Sequence, residues 1–185
     1  MNAVQVKVSA ANLRQLFHPC TPEFIRDVCH AHCCESSTSS TGTMIAVGAD
    51  EQPRLEAMGA TVVDGLIQPQ AGCRKCPFKD AANLCTLHAT DAKPWGCIAS
   101  PFTLNKHGTL IVRNRYRVLR CFKAPGSVPA YLAHAASLRL IFGSTEAARI
   151  TAHLDAGGAD TMATMPADSY ARLQANTATH TRANL

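Results

Sequence analysis

Three valines, Val4, Val6 and Val8, alternate with other residues near the start of the chain and predict a short half-buried strand. Residues 9–17 follow with the spacing of a helix. Thr21-Pro22-Glu23 reads as a helix start: Thr is the N-cap, Pro takes the first position, and an acid sits in the first turn. That helix is expected to turn Phe24, Ile25 and Val28 inward and to end at Cys29. A polar loop is predicted over residues 35–42 and a strand over 44–47. Residues 50–59 predict a helix with Leu55 and Met58 on its inner face and Gly59 as its C-terminal cap, and 61–67 predict another strand. Residues 68–102 are dense in Cys, Pro and Gly and predict irregular structure. A hairpin is expected from Thr103-Leu104 through the turn 105–108 into 109–117. Beyond Val128 the pattern becomes helical, over 128–142, 145–156 (stopped at Gly157-Gly158) and 167–174. Val128, Leu132, Ala136 and Leu140 recur at helical spacing as a core face, as do Ile150 and Leu154.

These elements give an α+β class: a small irregular, metal-organised, cysteine-rich domain with short strands and a C-terminal helical extension. The expected limits are 1–126 for the cysteine domain, 127–175 for a helical extension packing on it, and 176–185 for a polar disordered tail. A hydrophobic fraction of 46 % supplies a core for one domain of this size. The net charge of +5 permits a polyanionic partner without requiring one. No apolar run approaches the ~18–20 residues of a membrane span, so no membrane partner is expected. The first residues have no charged start followed by an apolar run, which predicts a cytoplasmic protein with reduced thiols. Nine cysteines, an odd number, also argue against a complete disulfide framework.

Eight of those cysteines fall between Cys29 and Cys121, most of them in two groups. Thiolates so close repel one another unless a cation holds them, and a zinc ion or an iron–sulfur cluster is the usual cation. The second group, Cys73-x2-Cys76-x8-Cys85-x2-His88, offers four donors in two short-spaced pairs, each pair able to face one ion from a tight turn. Cys97 competes with His88 for the fourth position. The first group is Cys29, Cys33 and Cys34, with Cys20 upstream. Cys29-x3-Cys33 opens like a radical-SAM triad, but Ser36 stands where the third cysteine belongs, which excludes that chemistry. His30 and His32 are read as exposed or outer residues. Cys121 is a further thiol that either returns to the centre or does not.

The ordered run Cys76-Pro77-Phe78, Cys85-Thr86-Leu87-His88, Lys93-Pro94-Trp95-Gly96-Cys97 and Pro101-Phe102, preceded by Cys33-Cys34 and a strand–helix over 45–59, resembles the YkgJ-type zinc- or iron-chelating cysteine-cluster family. The resemblance covers roughly residues 20–122. It implies metal or iron–sulfur binding, and resemblance and spacing together make Cys29, Cys33, Cys34, Cys73, Cys76, Cys85 and Cys97 the expected ligands, with Cys20, His88 and Cys121 as further candidates. It implies no particular reaction, although flagellin lysine methylases carry a similar cluster. No glycine-rich nucleotide fingerprint follows a predicted strand, and no Ser/His/acid set is assignable from spacing.

Three function classes follow. The first is a metal-binding protein, on zinc or an iron–sulfur cluster. The second is an enzyme or redox protein acting at that cluster. The third is a nucleic-acid-binding module. On a strand, Arg113, Arg115 and Arg117 would form one face able to contact phosphates, although a solvated edge strand is the favoured reading of that stripe.

Overall fold

The computed structural model describes residues 2–35, 46–90 and 92–182. In chain order they form β1 (Ala3–Val8), α1 (Ala10–Leu13), β2 (Leu16–Phe17), α2 (Pro22–Phe24), α3 (Gln52–Ala57), β3 (Val62–Val63), β4 (Leu66–Ile67), α4 (Trp95–Ala99), β5 (Phe102–Leu104), β6 (Leu110–Val112), β7 (Val128–Pro129), α5 (Ala130–Ala133), α6 (Ala135–Phe142), α7 (Ser144–Asp155), β8 (Thr161–Pro166) and α8 (Ala167–Arg182). The class is α+β with short strands and a C-terminal helix, as expected. The chain divides into two compact units, Met1–Cys20 with Ile98–Thr177, and Thr21–Cys97 with Ala178–Leu185. The boundary expected at 126/127 lies inside the first unit.

The first unit is built on a sheet in the order β5-β6-β1-β8. β1 runs antiparallel to β8 from Ala3↔Pro166 to Val8↔Thr161 and meets β6 in parallel at Val8↔Leu110. Its alternation places Val6 and Val8 in the core beside Ala163 and Met165. α6 and α7 pack on each other and against β8, burying Leu138, Ile141, Ile150 and Leu154. Strand β8 was not expected, because Ala163 and Met165 carry a weaker strand signal than β-branched residues.

Long-range pairing overrides local periodicity at several places in this unit. The helix expected over 9–17 stops at Leu13, since Leu16 and Phe17 pair with Pro129 and Val128. The same pairing takes Val128 and Pro129 out of the helix expected over 128–142. That helix also breaks at His134 (φ −123°), which resets its register. Leu132 is therefore exposed and Leu138 buried, against the expected core face. The strand expected to reach 117 ends at Val112, and Asn114–Val118 form a 3₁₀ turn. Helix α8 continues to Arg182, through the start of the segment expected to be disordered, and Asn176 is 2 % exposed.

In the second unit α2 starts as predicted, the Thr21 Oγ1 accepting the Phe24 N–H at 3.3 Å. It widens into a π-helical turn, Ile25–Cys29, closed by the His30 N–H on the Ile25 carbonyl at 2.7 Å. The extra residue per turn rotates Val28 to the surface instead of inward, while Cys29 is buried. His30 and Ala31 are both left-handed, with φ of 51° and 49°, and lead into a 3₁₀ turn at His32–Cys34. α3 buries Leu55 and stops at Gly59 (φ +92°), as expected, but Met58 faces solvent. The single strand expected over 61–67 is a hairpin of β3 and β4 turning at Asp64-Gly65, both at positive φ as a type I′ turn requires. The Val47 N–H donates to the Gly65 carbonyl at 2.8 Å; Met44, Ile45 and most of the expected polar loop lie outside the described residues. The core here is Val47, Leu55, Ala60, Ile67, Phe78, Leu87 and Ala92. Residues 68–90 are irregular apart from a 3₁₀ turn at Thr86–Ala89, as are 92–94. Among the described residues, no helix is long and apolar enough to cross a membrane.

Candidate metal centre

Cys76 and Cys85 are each placed by a tight turn fastened to the core. The Lys79 N–H closes a turn on the Cys76 carbonyl at 3.0 Å, and the Phe78 N–H donates to the Cys76 Sγ. The Phe78 ring is buried in the core, against which Cys76 packs. The same arrangement recurs at Cys85: the His88 N–H closes on the Cys85 carbonyl at 3.1 Å, the Leu87 and His88 amides donate to the Cys85 Sγ, and Leu87 is buried. The residue two positions after each cysteine thus anchors the turn and donates to the sulfur. Cys29 follows the same rule, its Sγ accepting the Ala31 N–H at 3.4 Å. The Cys76 and Cys85 turns are joined by the Thr86 N–H on the Phe78 carbonyl at 2.8 Å and by an antiparallel bridge, Lys79↔Cys85.

Cys97 is carried by α4. The Trp95 N–H at the start of that helix donates to Glu51 Oε1 at 2.7 Å, and Glu51 Oε2 accepts the Gly48 N–H at 2.9 Å. Cys34 is brought in by a backbone bridge, Glu35↔Lys75, and by a mostly buried ion pair, Lys79 Nζ to Glu35 Oε1 at 2.8 Å. The Cys34 N–H closes on the Ala31 carbonyl at 2.9 Å, and the Cys33 and Cys34 sulfurs are 3.8 Å apart.

Four thiols sense one another. Burial pushes the Cys76 thiol up to about 12, and the charges of Cys34 and Cys85 add to the rise. Burial also raises Cys85, with Cys34 adding to it. Cys97 is raised well above the ordinary thiol value by burial and then by Cys34, Cys76 and Cys85. Two lysines oppose this, Lys79 toward Cys76 and Lys93 toward Cys85 and Cys97. The fold therefore gathers Cys34, Cys76, Cys85 and Cys97 within electrostatic reach of one another. Among the described residues no three His, Cys, Asp or Glu side chains already stand in an arrangement that encloses a metal ion.

The other expected site residues fall elsewhere. Cys73 Sγ lies 3.8 Å from Gln70 Oε1. His88 Nε2 faces Lys93 Nζ at 3.1 Å, while Cys97 lies within electrostatic reach of Cys34, Cys76 and Cys85. Cys20 is exposed and Cys121 buried, both in the first unit. The nine cysteines form no disulfide. The arginine stripe does not exist as a strand face: in a 3₁₀ turn residues two apart point in different directions. Arg113 is buried, while Arg117 is exposed and donates to Gln15 Oε1 and Asn12 Oδ1 at 3.1 and 3.2 Å.

Sequence reasoning missed Glu51, Glu35 and Lys79. An acid in the first turn of a predicted helix is the only signal Glu51 offered, and Glu35 and Lys79 are joined only by tertiary structure. Compared with protein-family models, curated proteins and solved structures, the chain matches none.

Proposed function

We propose that the second unit is a metal-binding module whose ligands are Cys34, Cys76, Cys85 and Cys97, taking either zinc or an iron–sulfur cluster. The observation that carries this reading is the joining of the cysteine-bearing segments: the Thr86 N–H on the Phe78 carbonyl and the Lys79↔Cys85 bridge tie the Cys76 and Cys85 turns, and Glu35 ties the segment after Cys34 to Lys75 and Lys79. The electrostatic influence of these thiols on one another and on Cys97 agrees with it. Burial favours the protonated form of Cys76, Cys85 and Cys97; a bound cation reverses that balance, and binding then releases protons. The donor set fits such a cation. A four-sulfur shell is the preferred one for structural zinc and for cysteine-held clusters. The amides of Phe78, Leu87 and His88 already donate to sulfur, which favours the thiolate form that a metal requires. The Cys33 sulfur, 3.8 Å from that of Cys34, lies beside this shell. Bound, the metal would tie the segments together and couple folding to metal; a cluster would add electron transfer.

The test is anaerobic purification of the full chain, with metal and sulfide analysis and a visible spectrum. Iron with sulfide and a broad band near ~400 nm assigns a cluster. A colourless protein with stoichiometric zinc assigns a zinc site. Protein that binds neither, even after reduction and reconstitution, overturns the reading.

A further inference from the structure

Two lysines lie near the thiols, and their surroundings differ. Lys79 is buried with its Nζ 2.8 Å from Glu35 Oε1, so a carboxylate balances its charge. Lys93 Nζ instead lies 3.1 Å from His88 Nε2. An ammonium has no lone pair with which to accept, so His88 Nε2 is the acceptor and the imidazole proton is on Nδ1. The ion pairs among the described residues give Lys93 no carboxylate. The pair is fixed at both ends. His88 belongs to the turn that donates to Cys85 Sγ, and Lys93 immediately precedes Pro94, whose carbonyl accepts the Cys97 N–H at 2.9 Å. A neutral mount therefore holds an ammonium that no carboxylate pairs with among the described residues, on the stretch of chain that joins Cys85 to Cys97.

Four thiolates around a divalent ion carry net negative charge, and in a partly desolvated site that charge is costly unless a cation is near. We propose that Lys93, mounted on His88, is the positioning residue that supplies this compensating charge, and that His88 serves it as a hydrogen-bond acceptor and not as a metal ligand. The inference rests on the metal-binding reading above. The direction in which Lys93 moves Cys85 and Cys97, toward the charged form, agrees with it. So does the distinct use of Lys79, which holds the segment after Cys34 against the segment after Cys76.

The experiment is a Co2+ titration of the full chain under reducing, anaerobic conditions, with affinity measured against a competing chelator. Ligand identity is read from the thiolate-to-cobalt charge-transfer band and the visible cobalt bands. Lys93→Gln is expected to weaken Co2+ binding by about 10- to 100-fold, the usual cost of losing an outer-shell partner. Lys93→Arg, which keeps the charge, is expected to hold the wild-type affinity. His88→Ala is expected to weaken binding while leaving the cobalt bands in place, because the sulfur donors are unchanged. Wild-type affinity in Lys93→Gln, an arginine variant as weak as the glutamine one, or cobalt bands displaced by His88→Ala would each overturn the inference. Far-UV circular dichroism follows every variant; if Lys93→Gln does not fold, the bands of His88→Ala decide the matter alone. Absence of any charge-transfer band in the wild type is a separate outcome, which removes the thiol centre itself.

Discussion

The carboxylate of Glu51 accepts the backbone N–H of Trp95 at 2.7 Å, across 44 residues of sequence, and so caps the helix that carries Cys97. Its other oxygen holds the Gly48 amide at 2.9 Å. Glu51→Ala removes the acceptor for both amides in a buried setting. A loss of about 3 kcal/mol in unfolding free energy is expected, with a smaller loss for Glu51→Gln, whose carbonyl still accepts one of them. Urea denaturation measures it, and a loss no larger than that of an exposed substitution would show that the cap is dispensable.

Metal content is expected to separate the four coupled thiols from the rest. Cys85→Ser is expected to lower both metal stoichiometry and melting temperature, since binding energy is folding energy at such a site. Cys73→Ser, at the thiol lying beside Gln70, is expected to change neither. Full stoichiometry in Cys85→Ser would exclude it as a ligand.

Ala31 sits at φ 49°, directly after His30 at φ 51°. A left-handed residue with a Cβ costs about 1–2 kcal/mol relative to its ordinary conformation. Glycine removes most of that cost while giving the unfolded chain more freedom. Ala31→Gly should therefore be stabilising by about 0.5 kcal/mol, seen as a higher urea midpoint at constant slope. A destabilised Ala31→Gly variant would place the favourable contribution in the methyl group, which is buried.

His134 stands against the edges of Phe17 and Phe102, ring centroids 6.2 Å away in each case, and burial lowers its pKa to about 4. In the unfolded chain it titrates near its ordinary value of 6.5. Between those values the unfolded state binds the extra proton, so stability is full above pH ~6.5 and falls as pH drops toward ~4. The loss attributable to this residue is roughly 3 kcal/mol at the acid end. Stability measured across the window should show that slope in the wild type and a flatter one in His134→Phe. An unchanged slope would assign the acid sensitivity to other groups.

Local signals were sufficient where the structure itself is local. The Val6 and Val8 alternation, the Thr21-Pro22-Glu23 start, and Leu55 with Gly59 all read correctly, because capping and amphipathicity act within a few residues. The Asp64-Gly65 turn was legible too, yet it was absorbed into one strand. What could not be read was the pairing of distant segments. Phe17 with Val128 cuts short two predicted helices. Val112 ends the strand that would have carried the arginine stripe. At the site, the cysteine spacing named Cys76, Cys85 and Cys97, but the partner of His88 depends on where Lys93 lies. The roles of Glu51 and Glu35 depend on contacts made across 44 residues each.

The first unit is assembled from two stretches of chain with the cysteine unit between them. Strand β1 needs β6 and β8, and Ala3 must wait for Pro166. During synthesis the opening strand therefore remains unpartnered until the whole cysteine segment has emerged, and for some way beyond. Closing so large a loop is slow compared with forming the tight turns at Cys76 and Cys85. The nascent chain thus has an interval in which the turns at Cys76 and Cys85 are complete and the sheet is not, so the cysteine unit is free to mature before the unit that encloses it in sequence.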